Sequence, residues 1–251
     1  MDGIFLALMQ EGWKILIRYL VRIFRTCLAT GYIPGMWCQV KVVFIPKCSR
    51  SSYCGPRDFR PTSLTSFLLK TMERVVDRFV RYEILALQPL HFNQHAYQAG
   101  KSVEMALHQI MVRVEKALDQ QKIALGVFLD IEWVFNNTSY DSMCAALARH
   151  GVDHTIIRWI RATLEGWLAT ATLGGFSRSV AVSRGCPQGG VLSPLLWCLV
   201  VTELLKRLKE GGVYSQGYAD DICHLFYSGG KIPKYGIRVH TVGPSHHRIV
   251  V

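Results

Sequence analysis

The stretch Gly217-Tyr218-Ala219-Asp220-Asp221 sets two carboxylates side by side between apolar runs, Val213-Tyr214 before it and Ile222 to Tyr227 after it. Apolar runs parted by so short a polar break predict two strands meeting at a tight turn. Adjacent carboxylates at a hairpin tip repel each other, and a divalent cation is the usual counterweight. One more carboxylate from elsewhere in the chain completes a magnesium site, because Mg2+ takes a few carboxylate oxygens and leaves the rest of its shell to water and phosphates. Ile123 to Ile131 supplies it: a continuous apolar run carrying Leu129-Asp130 at its end. This run predicts a buried strand that delivers Asp130 to a site. The competing reading of Asp130 is a cap for the following helix.

Around these two segments the chain alternates helices and strands. Ile4 to Leu28 has apolar residues at helical spacing, ended by Gly31 and Pro34; a core-facing helix is favoured over one lying on a membrane surface. Val40 to Lys47 reads as a strand closed by Pro46. Arg60 precedes Pro61 and is held extended, and Thr62 to Thr65 offer capping hydroxyls to an amphipathic helix that stops before Pro89. The outer face of that helix carries Lys70, Arg74, Arg78 and Arg81, a solvated face or part of an anionic track. His91 to Gly100 reads as a polar link, and Ser102 caps a helix from Val103 to Gln120. Gly100-Lys101-Ser102 is no phosphate loop, since His95 stands where that motif needs glycine. Helices follow over 142–150 and about 154–168, then a hairpin about Gly174-Gly175. The glycine-rich turn Gly185-Cys186-Pro187-Gln188-Gly189-Gly190 leads into a helix opened by Ser193-Pro194. The order fits an α+β fold with helices packed on one face of a sheet.

Bulk composition narrows the partners. The chain has 251 residues, 50% of them hydrophobic, enough for a sizeable core. Lys and Arg number 29 against 18 Asp and Glu, a net charge of +11 that fits a polyanionic partner or a merely soluble surface. The eight cysteines are scattered singly, which fits a reducing compartment and no disulfide framework. Charges interrupt the first apolar stretch, and no uncharged apolar run is long enough to span a bilayer. The expectation is therefore an intracellular protein of nucleus or cytoplasm, neither secreted nor membrane-bound.

Taken together, Phe44-Ile45-Pro46-Lys47, Phe59-Arg60-Pro61-Thr62-Ser63-Leu64, Phe128-Leu129-Asp130, Gly185-Cys186-Pro187-Gln188-Gly189-Gly190-Val191-Leu192-Ser193-Pro194 and Tyr218-Ala219-Asp220-Asp221 resemble the reverse transcriptase domain of non-long-terminal-repeat retrotransposons of the jockey-like insect type. The resemblance implies a right-hand polymerase fold, with an N-terminal helical extension over 1–35, fingers over 36–122, a palm over 123–227 and a divergent tail over 228–251. It implies that Asp130, Asp220 and Asp221 bind two Mg2+ ions, with Mn2+ as a substitute, for nucleotidyl transfer onto a primer 3′-hydroxyl. Lys47 and Arg60 match finger residues that hold the triphosphate. Phe135 matches the bulky residue under the sugar, and Gln188 and Gly189 match the turn against the new base pair and template. Tyr218 matches the aromatic beside the primer end. RNA template, DNA primer and deoxynucleoside triphosphates are the implied partners.

Departures from the family pattern carry their own expectations. Trp133 and Val134 stand where the family has Gly and Ala, and Thr62 replaces Ile. The stretch after Tyr227 shows no thumb-like helix, as in a truncated copy with a frameshifted tail. A fragment with weak or no polymerase activity is expected, with a non-catalytic nucleic-acid-binding remnant as the alternative.

Overall fold

The computed structural model describes residues 6–48, 52–131, 134–173 and 175–227. Trp133 and the tail 228–251 lie outside the described residues. The chain divides into two compact units, each assembled from two separated stretches: residues 1–88 with 135–196, and residues 89–134 with 197–251. Each unit joins stretches far apart in the chain because strands distant in sequence pair with one another.

The first unit holds helix α1 (Leu6–Thr30), strands β1 (Gln39–Pro46) and β2 (Phe59–Leu64), and α2 (Phe67–Phe79). After α2 come a π-helical turn over Val80–Ile84 and a short α3 (Leu85–Leu87). From Phe135 onward in the chain it resumes with the rest of α5 (Val134–Asn137), then α6 (Tyr140–Arg149), α7 (His154–Glu165), β4 (Leu168–Leu173) and β5 (Phe176–Ala181). A four-stranded sheet runs β2-β1-β4-β5, with β1 parallel to β4 and the other pairs antiparallel. The hairpin about Gly174-Gly175 thus extends this sheet. Thr62 to Leu64 are part of β2, opposite Val43 to Lys41, and do not cap α2. Ser66 takes that role, its hydroxyl accepting the Leu69 N–H at 3.3 Å. Threonine's β-branch suits the pleated strand, while the smaller serine fits the cap. Leu69, Met72, Val76, Val80, Met143, Leu147, Trp159 and Ile160 are buried. The Arg158 guanidinium donates to the Ala29 carbonyl at 2.6 Å, satisfying a group at the end of α1.

The second unit contains α4 (Val103–Asp119), β3 (Ala124–Asp130), β6 (Tyr214–Tyr218) and β7 (Asp221–Tyr227), with most of α8 (Ser193–Glu210). Its sheet is antiparallel in the order β3-β7-β6. Ser102 caps α4 by accepting the Met105 N–H at 3.2 Å, as its position before the apolar period predicts. β3 is not the buried strand its apolar sequence predicts. It lies at the sheet edge, and Leu125 and Phe128 are exposed.

The stretch 91–101 departs further from expectation. His91, Asn93, Gln94 and His95 are buried, and the stretch lines the outer edge of β6. The Gly217 N–H donates to the Asn93 carbonyl at 3.0 Å, and the His95 N–H donates to the Gly217 carbonyl at 3.0 Å. Side chains complete the seal: Asn93 donates to the Ser215 carbonyl at 2.8 Å, and Thr202 donates to Gln94 Oε1 at 2.8 Å. Polar residues are tolerated inside when such partners meet them, and here they cover backbone groups that an edge strand would leave bare. Lys101 belongs to this clasp. Its ammonium donates to the carbonyls of Phe92 at 2.8 Å and Gln94 at 2.6 Å. Among the described residues no helix is long and apolar enough to cross a membrane.

Candidate active site

The two-residue turn Ala219-Asp220 joins β6 to β7. Its φ is positive at Ala219, 54°, and not at Asp220, the φ pattern of a type II′ hairpin turn. This turn puts Asp220 at the tip and Asp221 at the first position of β7. Across the sheet Asp130 pairs with Asp221, and Asp221 pairs with Tyr218. Directly opposed residues point to the same face, so Asp130, Asp221 and Tyr218 form one row. The Ile131 N–H donates to the Asp220 carbonyl at 3.0 Å. Neighbouring pairs alternate, so Asp130 and Asp221 form the kind of pair whose side chains approach more closely, with Cβ atoms about 5 Å apart.

All three carboxylates are exposed. The Asp221 carboxyl is nonetheless raised above its ordinary pKa, first by partial burial and then by the charges of Asp220 and Asp130. Among the described residues no three His, Cys, Asp or Glu side chains stand in ligand geometry. The carboxylates are neighbours that repel one another, all oxygen donors, reached by solvent. Oxygen donors of this kind are the chemistry a hard divalent cation takes.

The other predicted site residues belong to the first unit. Arg60 is exposed on β2 opposite Ile45. Lys47 follows β1, half-buried, its N–H donating to the Asp58 carbonyl at 2.9 Å and its carbonyl accepting the Tyr53 hydroxyl at 2.9 Å. Phe135, Gln188 and Gly189 are tied together. The Cys186 N–H donates to the Phe135 carbonyl at 2.5 Å, and the Ser63 N–H of β2 donates to the Gln188 carbonyl at 2.7 Å. Gly189 has φ +111°, and a Cβ there would lie 2.8 Å from the Ser63 carbonyl oxygen, so this close approach needs glycine. Phe135 and Gln188 both line a cavity of ≈ 230 Å³ that also meets Val42, Ser63, Tyr140 and Trp167.

Sequence reasoning missed Glu73. It is buried in α2 and accepts the Val191 N–H at 3.0 Å, and burial pushes its carboxyl up to about 7. Its signal was a carboxylate on the apolar face of a helix, among Leu69, Met72 and Val76. It missed Trp197 too, whose indole N–H donates to the Ala219 carbonyl at 2.7 Å; no local pattern marks that bond.

The profile of the reverse transcriptase (RNA-dependent DNA polymerase) family matches residues 45–234. The chain belongs to this family. It is similar to a putative protein of the type-1 retrotransposable element R1DM of Drosophila melanogaster, 28% identical over 227 residues that cover 90% of this chain and 21% of the relative. It is also similar to the RNA-directed DNA polymerase from mobile element jockey of Drosophila funebris, 29% identical over 217 residues that cover 82% of this chain and 23% of that protein. The chain therefore spans about a fifth to a quarter of the length of these curated relatives. Among solved structures, apo telomerase of Candida tropicalis matches 84% of this reverse transcriptase chain and 44% of its own, with TM-score 0.55 and 13% identity, a likeness of fold. The expected fingers-and-palm reverse transcriptase fold is thus the fold found, in a chain of the reverse transcriptase family whose relatives named above belong to a retrotransposable element and a mobile element. The family uses divalent metals, and the matched segment of this chain includes all three acidic residues.

Proposed function

We propose that this chain is a fingers-and-palm segment of an RNA-directed DNA polymerase, in which Asp130, Asp220 and Asp221 hold two Mg2+ ions. The observation that carries this reading is the row of Asp130, Asp221 and Tyr218 across β3, β7 and β6, with Asp220 at the adjoining turn. Held by these carboxylates, such ions would supply an activated primer hydroxyl and charge stabilisation on the transferring phosphoryl group. The protein's part is to fix the carboxylates on a hydrogen-bonded sheet, which holds their spacing. Tyr218 stands beside them as a surface for the primer terminus. Arg60 supplies a planar donor fork and Lys47 a point charge for the triphosphate. Phe135, with its backbone fixed by Cys186, excludes a 2′-hydroxyl by bulk and so selects deoxynucleotides. Gln188 and Gly189 face the new base pair and template on a turn pinned to Ser63. The net charge of +11 favours a nucleic-acid template and primer.

Trp133, where the family has glycine, supports slow extension, and a non-catalytic template binder is the second reading. Primer extension on an RNA template with Mg2+ separates them. The polymerase reading expects slow extension that Asp220→Asn abolishes and Arg60→Ala weakens through KM. No extension at any enzyme concentration, with template–primer affinity the same in wild type and Asp220→Asn, would sink it in favour of the binder.

A further inference from the structure

The turn that carries Asp220 is built against its backbone preference. Ala219 holds φ 54°, a region where glycine rests without strain and alanine does not. An alanine there relaxes unless something restrains it. The restraint is visible: the indole N–H of Trp197, a buried residue of α8, donates to the Ala219 carbonyl at 2.7 Å. The next residue of α8 does the same at a second strained point. Cys198 donates its Sγ–H to the Ala96 carbonyl at 3.7 Å, and Ala96 precedes Tyr97, at φ 58°. The Asp220 charge raises the Tyr97 phenol, after burial as the larger cause, so that ring shares the neighbourhood of the turn. Consecutive residues of one helix thus bond the carbonyl of Ala219 itself and that of Ala96, the residue before Tyr97.

Rotation of the Ala219–Asp220 peptide toward a relaxed turn would swing the Ala219 carbonyl away from Trp197. It would also shift Asp220, whose own carbonyl accepts the Ile131 N–H at 3.0 Å and so ties the turn to the end of β3 beside Asp130. We propose that Trp197 is a positioning residue, whose indole N–H holds the strained Ala219-Asp220 turn and thereby the Asp220 carboxylate in the orientation a divalent ion needs. This rests on the proposed metal-binding role of Asp220. It concerns an outer-shell bond, the kind whose loss typically weakens metal binding about 10- to 100-fold.

The test uses the whole chain in wild-type form, as Trp197→Phe, and as Trp197→Phe with Ala219→Gly. Phenylalanine keeps the apolar ring and removes the donor; glycine removes the strain the donor restrains. Two readouts are taken: hydrogen exchange of the Ile131 amide without metal, and Mn2+ affinity from the paramagnetic resonance signal of free Mn2+. Trp197→Phe should speed Ile131 exchange and weaken Mn2+ binding, each about tenfold. Adding Ala219→Gly should recover at least half of each loss on a logarithmic scale. Unchanged Ile131 exchange in Trp197→Phe overturns the proposal. So does faster exchange with unchanged Mn2+ affinity, or failure of glycine to rescue either readout. A wild-type protein that binds no Mn2+ sinks the two-metal reading and the proposal with it; that failure is told apart because Ile131 exchange still responds to Trp197→Phe.

Discussion

Glu73 of α2 accepts the backbone N–H of Val191 at 3.0 Å, so a buried carboxylate holds the end of the glycine-rich turn that carries Gln188 and Gly189. The charged and polar groups around it set its proton affinity. Burial raises its pKa from 4.5 to about 7, against the Val191 bond and the Lys70 charge, with Asp77 adding a smaller rise. A raised carboxylate favours folding in its protonated form. Its contribution is intact below about pH 4.5 and fades as the pH climbs through 7, leaving a penalty at pH 8 on the order of 3 kcal/mol. Glu73→Gln keeps an oxygen for the Val191 N–H and never ionises. It should therefore raise the urea midpoint at pH 8, by roughly 1–3 kcal/mol of stability, and leave it nearly unchanged at about pH 4. Equal effects at both values would show that ionisation of Glu73 is not what folding opposes.

Two glycines with the same backbone angle should differ sharply when replaced. Gly185 has φ +84° and Gly175 has φ +85°. A Cβ on Gly185 would lie 2.5 Å from the Phe135 carbonyl oxygen and 2.6 Å from Asn136 backbone atoms, whereas nothing lies within 4 Å of a Cβ on Gly175. Gly175→Ala meets only the backbone strain, about 1 kcal/mol. Gly185→Ala adds a clash with main chain that cannot rotate away, and should cost at least about 3 kcal/mol while loosening Phe135. Chemical denaturation of the two variants side by side is the measurement. Similar losses would mean the Phe135–Gly185 contact is looser than the geometry requires.

What could be read from the sequence and what could not divide along a physical line. The β6–β7 hairpin, the Ser102 cap and the glycine-rich turn before α8 each follow from a few adjacent residues, and all three are found where the pattern places them. Asp130 was legible as a strand-end carboxylate, and its pairing with Asp221 sets it beside the hairpin. Pairings across long separations were not legible. Nothing in Val40 to Val42 indicates that it lies parallel to Ala169 to Ala171. Asn93 and Gln94 looked like linker because polarity usually means solvent, yet the Asn93 amide nitrogen bonds Ser215 and the Gln94 amide oxygen bonds Thr202, each more than 100 positions away. Leu125 and Phe128 looked like core because apolar runs usually are, yet an edge strand leaves them exposed. Local chemistry names the parts, and long-range pairing decides their surroundings.

Lys101, next to a glycine and a serine, is spent on main-chain carbonyls. Its two bonds, at 2.8 Å and 2.6 Å, go to Phe92 and Gln94, and burial lowers its pKa. Lys101→Met keeps the apolar stem and removes both charge-assisted bonds, for a loss of about 1.5–3 kcal/mol. Because Gln94 lies on the clasp along β6, the Gly217 N–H, bonded to the Asn93 carbonyl, should exchange faster with solvent in this variant. Exchange at Gly217 equal to wild type would mean that Asn93 and Thr202 hold the edge without the lysine.

The three carboxylates make a last prediction that needs no polymerase turnover. Without metal, Asp130, Asp220 and Asp221 repel; the Asp221 carboxyl is raised first by partial burial and then by the charges of Asp220 and Asp130. A cation that binds the folded row and not the unfolded chain adds stability by mass action, about 1.4 kcal/mol at ten times its Kd. Thermal unfolding should therefore shift upward with Mg2+ or Mn2+ in the wild type. In Asp220→Asn the metal-free midpoint should rise slightly, since one repelling charge is gone, and the metal-dependent shift should shrink severalfold. Ca2+, larger and content with irregular shells, should shift the wild type as well, because the carboxylates here are open to solvent and impose no tight cavity. Equal Mg2+ shifts in wild type and Asp220→Asn would place any bound ion away from the hairpin tip, and the row across β3 and β7 would then be a set of surface charges with no metal to hold.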